Sequence, residues 1–404
     1  MTHRSPPWLI ALGAGRWQTP GIQAARAAGL RVLAVDAQAS APGLAMADRA
    51  LVLDTRDTDG IARAVESMDL RPAGAIAFCH EAGVITAAAL RERFGLPGVR
   101  GEVAAAMVRK DLQRARWTAA GLPCPRWRVA TRPEEAEAAL RELAGTCILK
   151  PVDSAGSRGV TVLEPDAPWR AAYDAAHALS GCGRVIIEDF IIGLEHTVET
   201  FSNAGRTAVL AITSKRKVPG TSNTVASELA TTDYAPELLA EISEVVVRAL
   251  AALDFRDGPG HTEILRTAAG ELFLVESAGR GGGFMVADGI VPAASGFPLS
   301  AACALQAAGL TPPWPDSRPG RAVVLRFVPS RAGRVVSIEG FAPEDEIPHV
   351  RSEAMVAIGQ ELGRAACDGD RMAYILADAA NLPAALALAD ARERRIKIRM
   401  EAAS

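Results

Sequence analysis

Between residues 7 and 99, apolar runs of strand length alternate with stretches of helical period. WLIALGA, RVLAVDA, ADRALVL and AGAIAF read as strands, and GIQAARAAGL and DGIARAVES as helices. Strands interleaved with helices of this length predict a parallel sheet covered on both faces. Residues 1–100 are therefore expected to form a small Rossmann-like α/β domain. A helix is predicted from 102 to about 122, carrying Arg109 and Lys110 and ended by the breaker GLPCP. Strands follow at 127–130, 146–151, 160–164, 184–190 and 195–203, with helices at 133–144 and 168–180, an α+β pattern. Four prolines in TPPWPDSRPG mark 311–320 as a linker. Beyond it, RAVVLRFVPS, GRVVSIEG, RMAYILADA and a helix at 382–395 predict a small C-terminal α/β module over 321–404.

The segment HTEILRTAAGELFLVESAGRGGG, 261–283, reads as two short strands around Ala269-Gly270. With those two residues as the loop, Ala268 faces Glu271, Leu265 faces Leu274, and Glu263 lands opposite Glu276. Two carboxylates paired across a ladder repel each other unless a cation sits between them. An oxygen-only pair suits magnesium, which shares its shell with waters and substrate phosphates. A three-residue loop with Gly270 as a bulge would instead shift the register and put the glutamates on opposite faces.

Composition narrows the classes. The 404 residues carry 44 Lys plus Arg against 47 Asp plus Glu, a net charge of -3, so no basic excess argues for nucleic acid. The cysteines at 79, 124, 147, 182, 303 and 367 form no Cys-x-x-Cys pair and are expected to be reduced, as in a cytoplasmic interior. No apolar run reaches the roughly 18 residues of a membrane span. A soluble, unprocessed cytoplasmic protein without a membrane partner is the expectation.

Three further motifs bear chemistry. Gly13-Ala14-Gly15 followed by Asp36 imitates a dinucleotide fingerprint, although Gln18 stands where the third glycine belongs. In CILKPVDSAGSRGVTVL, Lys150 ends a strand and Ser154, Gly156, Ser157 and Gly159 form a loop whose peptide N–H groups can cradle phosphate, or a plain glycine-rich turn. In RVIIEDFIIGLEHTVETF, a linker with Glu188 and Glu195 on either side suits an adenine edge and ribose hydroxyls.

This order of motifs resembles the ATP-grasp superfamily: Lys110 on a helix, Lys150 before a Ser/Gly loop, the Glu188 to Glu195 linker, then Glu263, Glu276 and Arg280. The resemblance implies an ATP-grasp fold with 1–100 as the pre-ATP-grasp domain, 101–310 as the ATP-grasp domain with a lid at about 112–187, and 321–404 as the C-terminal domain. It implies that Lys110 and Lys150 grip ATP phosphates under the loop of Ser154, Gly156, Ser157 and Gly159. Glu188 with the main chain of Asp189 and Phe190 would hold adenine, and Glu195 the ribose. Glu263 and Glu276 would bind Mg2+ or Mn2+, and Arg280 would steady the transferring phosphoryl group or an acyl phosphate. Many relatives have Glu-x-Asn-x-Arg, whereas Ala278 occupies the Asn position in this chain.

His261-Thr262-Glu263 and the Arg-Gly-Gly-Gly run resemble the carboxylate-amine branch, including dipeptide-forming amino-acid ligases. The implied reaction activates a small carboxylate with ATP and passes it to an amine, in a homodimer, with Lys150 and Arg280 catalytic and His261 orienting substrate or amine. A lone histidine on a strand is more often a satisfied structural one, which is the other reading of His261. His80-Glu81 faces the substrate cleft or sits in an exposed loop, and 221–234 reads as a lid or a plain loop. Alternatives are a purine- or biotin-type carboxylase using bicarbonate, a nicotinamide-dependent oxidoreductase resting on Gly13, Gly15 and Asp36, and a nucleotide-binding protein without turnover.

Overall fold

The computed structural model describes residues 6–219, 225–316 and 320–402. Its N-terminal part runs β1 (Trp8–Leu12), α1 (Thr19–Ala27), β2 (Arg31–Asp36), α2 (Pro42–Met46), β3 (Arg49–Val52), α3 (Thr58–Ser67), β4 (Pro72–Ile76) and α4 (Gly83–Phe94). The four strands are parallel in the order β3-β2-β1-β4. Leu9 to Leu12 and Val32 to Val35 are fully buried, as strands covered on both faces must be. At the end of β2, Asp36 accepts the Ala14 N–H at 2.8 Å and the Gln38 N–H at 2.9 Å. This carboxylate ties the glycine turn after β1 to the end of β2.

The single helix expected over 102–122 is two: α5 (Gly101–Ala106) and α6 (Lys110–Ala119). Arg109 is extended, and the Lys110 N–H donates to the Val152 carbonyl at 2.8 Å instead of continuing α5. Lys110 thus opens α6, and with Gln113, Arg114 and Trp117 it forms a buried stripe at helical spacing.

Next come β5 (Trp127–Ala130), α7 (Pro133–Leu143), β6 (Cys147–Pro151), β7 (Thr161–Leu163), α8 (Arg170–Leu179) and β8 (Val185–Asp189). They form an antiparallel sheet of order β5-β8-β6-β7. This subdomain begins later than the lid boundary of 112 expected above, because α6 packs Trp117 into the main body beside Ile242, Val246 and Leu250.

The body contains β9 (Leu194–Asn203), β10 (Arg206–Lys217), β11 (Ala226–Thr231), α9 (Pro236–Ala252), β12 (Gly258–Arg266), β13 (Leu272–Ala278), α10 (Val291–Ser295), α11 (Leu299–Ala307) and β14 (Ala322–Pro329). After β14 come β15 (Gly333–Glu339), β16 (Val350–Ala354), β17 (Glu361–Leu362), β18 (Arg371–Ala379), α12 (Leu382–Arg395) and β19 (Lys397–Glu401). One eight-stranded sheet runs β13-β12-β9-β10-β11-β14-β18-β16. The C-terminal module is therefore continuous with the body, and only β15, β17 and β19 form a sheet of their own.

Of the linker at 311–320, residues 317–319 lie outside the described residues; Trp314 is stacked under Arg206 at 4.5 Å and beside Phe201. Of the stretch read as a lid, 221–224 lies outside the described residues, and 226–231 is the body strand β11, so that half closes over nothing. All six cysteines are free. Among the described residues no single helix is long and apolar enough to cross a membrane.

Candidate active site

Strand alternation places Glu195, Thr197 and Glu199 on one face of β9, and sends Val198 into the core beneath α9. Across the ladders Glu195 meets Lys215, Thr197 meets Glu263, and Glu199 meets His261. One sheet face thereby collects the chemistry of three strands, and β13 adds Glu276.

The facing glutamates are present: Glu263 pairs with Glu276 in the β12–β13 register. The route to that pairing differs from the two-residue loop. The Gly270 N–H donates to Thr267 at 3.0 Å, the Thr267 N–H donates to Glu271 at 2.9 Å, and Gly270 has φ +92°. This is a three-residue loop with a glycine bulge. Leu265 accordingly pairs with Phe273 and not Leu274. A second irregularity between Glu263 and Ile264, taken up at Val275, shifts the ladder back and returns Glu276 to the face of Glu263.

Each of these carboxylates has its own lysine. Lys110 Nζ lies 2.7 Å from Glu276 and also donates to the Ser154 carbonyl at 2.9 Å. Lys215 Nζ lies 2.5 Å from Glu263, and it also pairs with Glu195, whose second oxygen meets Lys217 at 2.8 Å. Burial alone would raise the Glu263 carboxyl, yet Lys215 and His261 hold it well below the usual carboxylate range. For Glu276 burial is likewise outweighed by Lys110, which keeps it low. Two ionised, facing carboxylates with oxygen-only donors fit a hard divalent cation, with phosphates and water completing its shell.

Glu188, expected at adenine, is held between two cations. It is 1% exposed, with one oxygen 2.5 Å from Arg114 Nε and the other 2.5 Å from Lys150 Nζ. Burial opposes ionisation, but Arg114 and Lys150 still hold the Glu188 carboxyl low. Burial and the neighbouring cations Arg114 and Lys110 pull Lys150 below the ordinary lysine value, although Glu188 opposes them. One anion shared by two cations leaves the cluster net positive, which favours an incoming phosphate. The N–H groups of Asp189 and Phe190 donate to the Arg126 and Thr146 carbonyls at 3.0 and 2.9 Å. Asp189 also pairs with Arg126. Glu195, expected at ribose, is held between Lys215 and Lys217.

The loop after Lys150 turns through the left-handed region at Gly156 (φ +70°), Ser157 (φ +61°) and Gly159 (φ +72°). A Cβ on Gly159 would fall 2.9 Å from Leu179, so this corner needs glycine on both counts.

Arg280 Nε donates to Glu81 at 2.6 Å, which brings the N-terminal domain against the segment that follows Glu276. His80 turns away to Thr55 at 3.0 Å. His261 Nδ1 bonds the fully buried Glu199, whose other oxygen accepts the Gly282 N–H at 3.2 Å. His261 Nε2 lies 3.9 Å from Glu263. Burial alone would lower this imidazole, but Glu199 pushes it up to about 9. Ala278, at the Asn position, sits directly across the ladder from His261.

Sequence reasoning missed Lys215, Lys217, Glu199 and Arg114. The available signal for the lysines was alternation in ITSKRK opposite Glu195. For Arg114 it was the Lys110, Arg114, Trp117 spacing.

Residues 143–288 match the ATP-grasp domain family, and 326–401 match the L-amino acid ligase C-terminal domain 2 family. The chain therefore carries an ATP-grasp domain over residues 143–288. Among curated proteins it is similar to the formate-dependent phosphoribosylglycinamide formyltransferase of Stutzerimonas stutzeri (strain A1501), 31% identical over 236 residues, 57% of this chain and 58% of that one. The same enzyme of Burkholderia cenocepacia (strain HI2424) is 34% identical over 188 residues, 45% of this chain and 46% of that one. The match thus spans about half the length of these relatives.

Solved structures share the fold from end to end. The L-amino acid ligase from Bacillus licheniformis superposes with a TM-score of 0.83 at 19% identity, covering 98% of this chain and 100% of that one. The biotin carboxylase domain dimer of the 2-oxoglutarate carboxylase from Hydrogenobacter thermophilus, named as a complex with MgADP and bicarbonate, gives 0.79 at 16% identity, covering 98% and 92%.

Proposed function

We propose that this ATP-grasp protein is an ATP-dependent carboxylate–amine ligase that joins amino acids or similar small molecules through an amide. The observation that carries this reading is the single sheet face on which facing, ionised Glu263 and Glu276 are flanked by Lys110, Lys150 and Lys215, with Arg280 at its edge. A substrate carboxylate oxygen attacks the γ-phosphorus of ATP, the bond to ADP breaks, and an acyl phosphate forms. An amine then attacks the acyl carbon, phosphate leaves with the bonding pair, and the amine proton passes to solvent.

Neither step requires a protein nucleophile. Catalysis is positioning and neutralisation of charge, in which Lys110 and Lys150 hold phosphate oxygens and Arg280 meets the transferring group. Bound between Glu263 and Glu276, Mg2+ or Mn2+ would supply the charge that draws the phosphates together. Arg280 reaches this centre with Glu81 as its counter-ion, so the acceptor pocket is bounded by the N-terminal domain. The C-terminal match to the L-amino acid ligase domain favours amide formation over carboxylation. A homodimer is the assembly expected of the chain, as one neighbour of the same fold is named as a dimer.

The test is ADP and phosphate release over pairs of amino acids and amines, with Glu276→Ala as the blank. The parent should turn over selected pairs, and the blank should fold but lose at least about 10²-fold in rate. A blank as active as the parent would refute the metal assignment. Release driven by bicarbonate with no organic acid would mark a carboxylase.

A further inference from the structure

We propose that Arg114 is a positioning residue that couples the phosphate lysine to the metal hairpin through one buried guanidinium; this rests on the nucleotide-binding reading above. Arg114 is 0% exposed. Its Nε donates to Glu188 at 2.5 Å, and Glu188 in turn holds Lys150 at 2.5 Å. Its second nitrogen donates to the carbonyl of Val275 at 2.6 Å. Val275 is the residue at which the β13 ladder slips, immediately before Glu276. A bulge turns a peptide out of the ladder and leaves its carbonyl without a cross-strand donor. Arg114 supplies that donor.

Its neighbours on α6 reinforce the same edge. Gln113 accepts the Ser277 N–H at 3.0 Å and donates to the Ser277 carbonyl at 2.7 Å, while Lys110 reaches Glu276. Residues 275, 276 and 277 are therefore each gripped by one turn of one helix. The third guanidinium nitrogen, Nη1, is buried with no partner among the described residues. A buried unpaired donor costs stability. Arg114 is thus a poor choice for stability alone, and its fork geometry is what the two diverging acceptors require.

The roles separate by substitution. Arg114→Lys keeps a cation against Glu188 but has no second arm for Val275, whereas Arg114→Met loses both. Calorimetric titration of parent and variants with ADP plus EDTA and with MgADP, well below their melting temperatures, reads each arm. Arg114→Lys should bind metal-free ADP near the parent value and lose most of the magnesium enhancement. Arg114→Met should lose affinity in both titrations, with the magnesium-dependent part falling about 10- to 100-fold, as for lost supports of metal ligands. A role in stability alone would lower melting without changing the ratio of the two affinities. An unchanged ratio in Arg114→Lys overturns the proposal, even if Arg114→Met fails to fold. A parent that binds neither form overturns the nucleotide reading itself and this proposal with it.

Discussion

His261 shows how one side chain serves several neighbours. Glu199 fixes its Nδ1 side and the Gly282 peptide together, so the ring links β12 to the glycine run after Arg280. Its folded value is raised to about 9 from an ordinary 6.5. A raised value means that the ion pair contributes fully below pH 6.5 and is lost as pH rises through 9. Without nucleotide or divalent ions, the melting-temperature advantage of the parent over His261→Asn should be largest at pH 6 and shrink towards pH 10. An advantage that is flat with pH would show that the imidazole carries no charge.

Among the elements, the hairpin was legible because strand period and charge repulsion together point at Glu263 and Glu276. The detail was not: two irregularities, at the loop and at Val275, offset each other, and only the net pairing is visible in a sequence. The break before Lys110 was illegible for another reason. Nothing local ends α5; a contact from Val152, 42 residues on, does. The lysines of β10 were missed because a run of three cations resembles a solvated surface, yet Lys215 is buried, opposite Glu195. The pairing of Glu188 with Arg114 was illegible because the two lie 74 residues apart in the sequence.

Docking between elements can be tested at Gly74 on β4, where an added Cβ would fall 2.0 Å from the Ala307 carbonyl on α11. Gly74→Ala should lower stability by about 1–3 kcal/mol. An unchanged unfolding midpoint in urea would mean that the N-terminal sheet does not rest on α11 as described.

Across the whole molecule, three regions meet at the site: the N-terminal domain through Glu81, the four-stranded antiparallel sheet through Lys150, and the body through the glutamates. The parallel N-terminal sheet was readable from its alternation of strands and helices. The continuity of the C-terminal strands with the body was not, because a sheet that joins strands within 194–278 to strands within 322–379 is made by long-range pairing.

Lys110 ties two of those regions with one ammonium group, which balances Glu276 and holds the Ser154 peptide. A cation arriving at the hairpin removes one of its two attachments, so occupancy there is felt by the backbone of 154–159. Proteolysis reports on it from outside: tryptic nicking at the exposed Arg158 should slow when magnesium and ADP are added together, and equal rates would sever loop from hairpin. The same ammonium makes the order of arrival unequal, because metal alone strips a counter-ion that only a phosphate can replace.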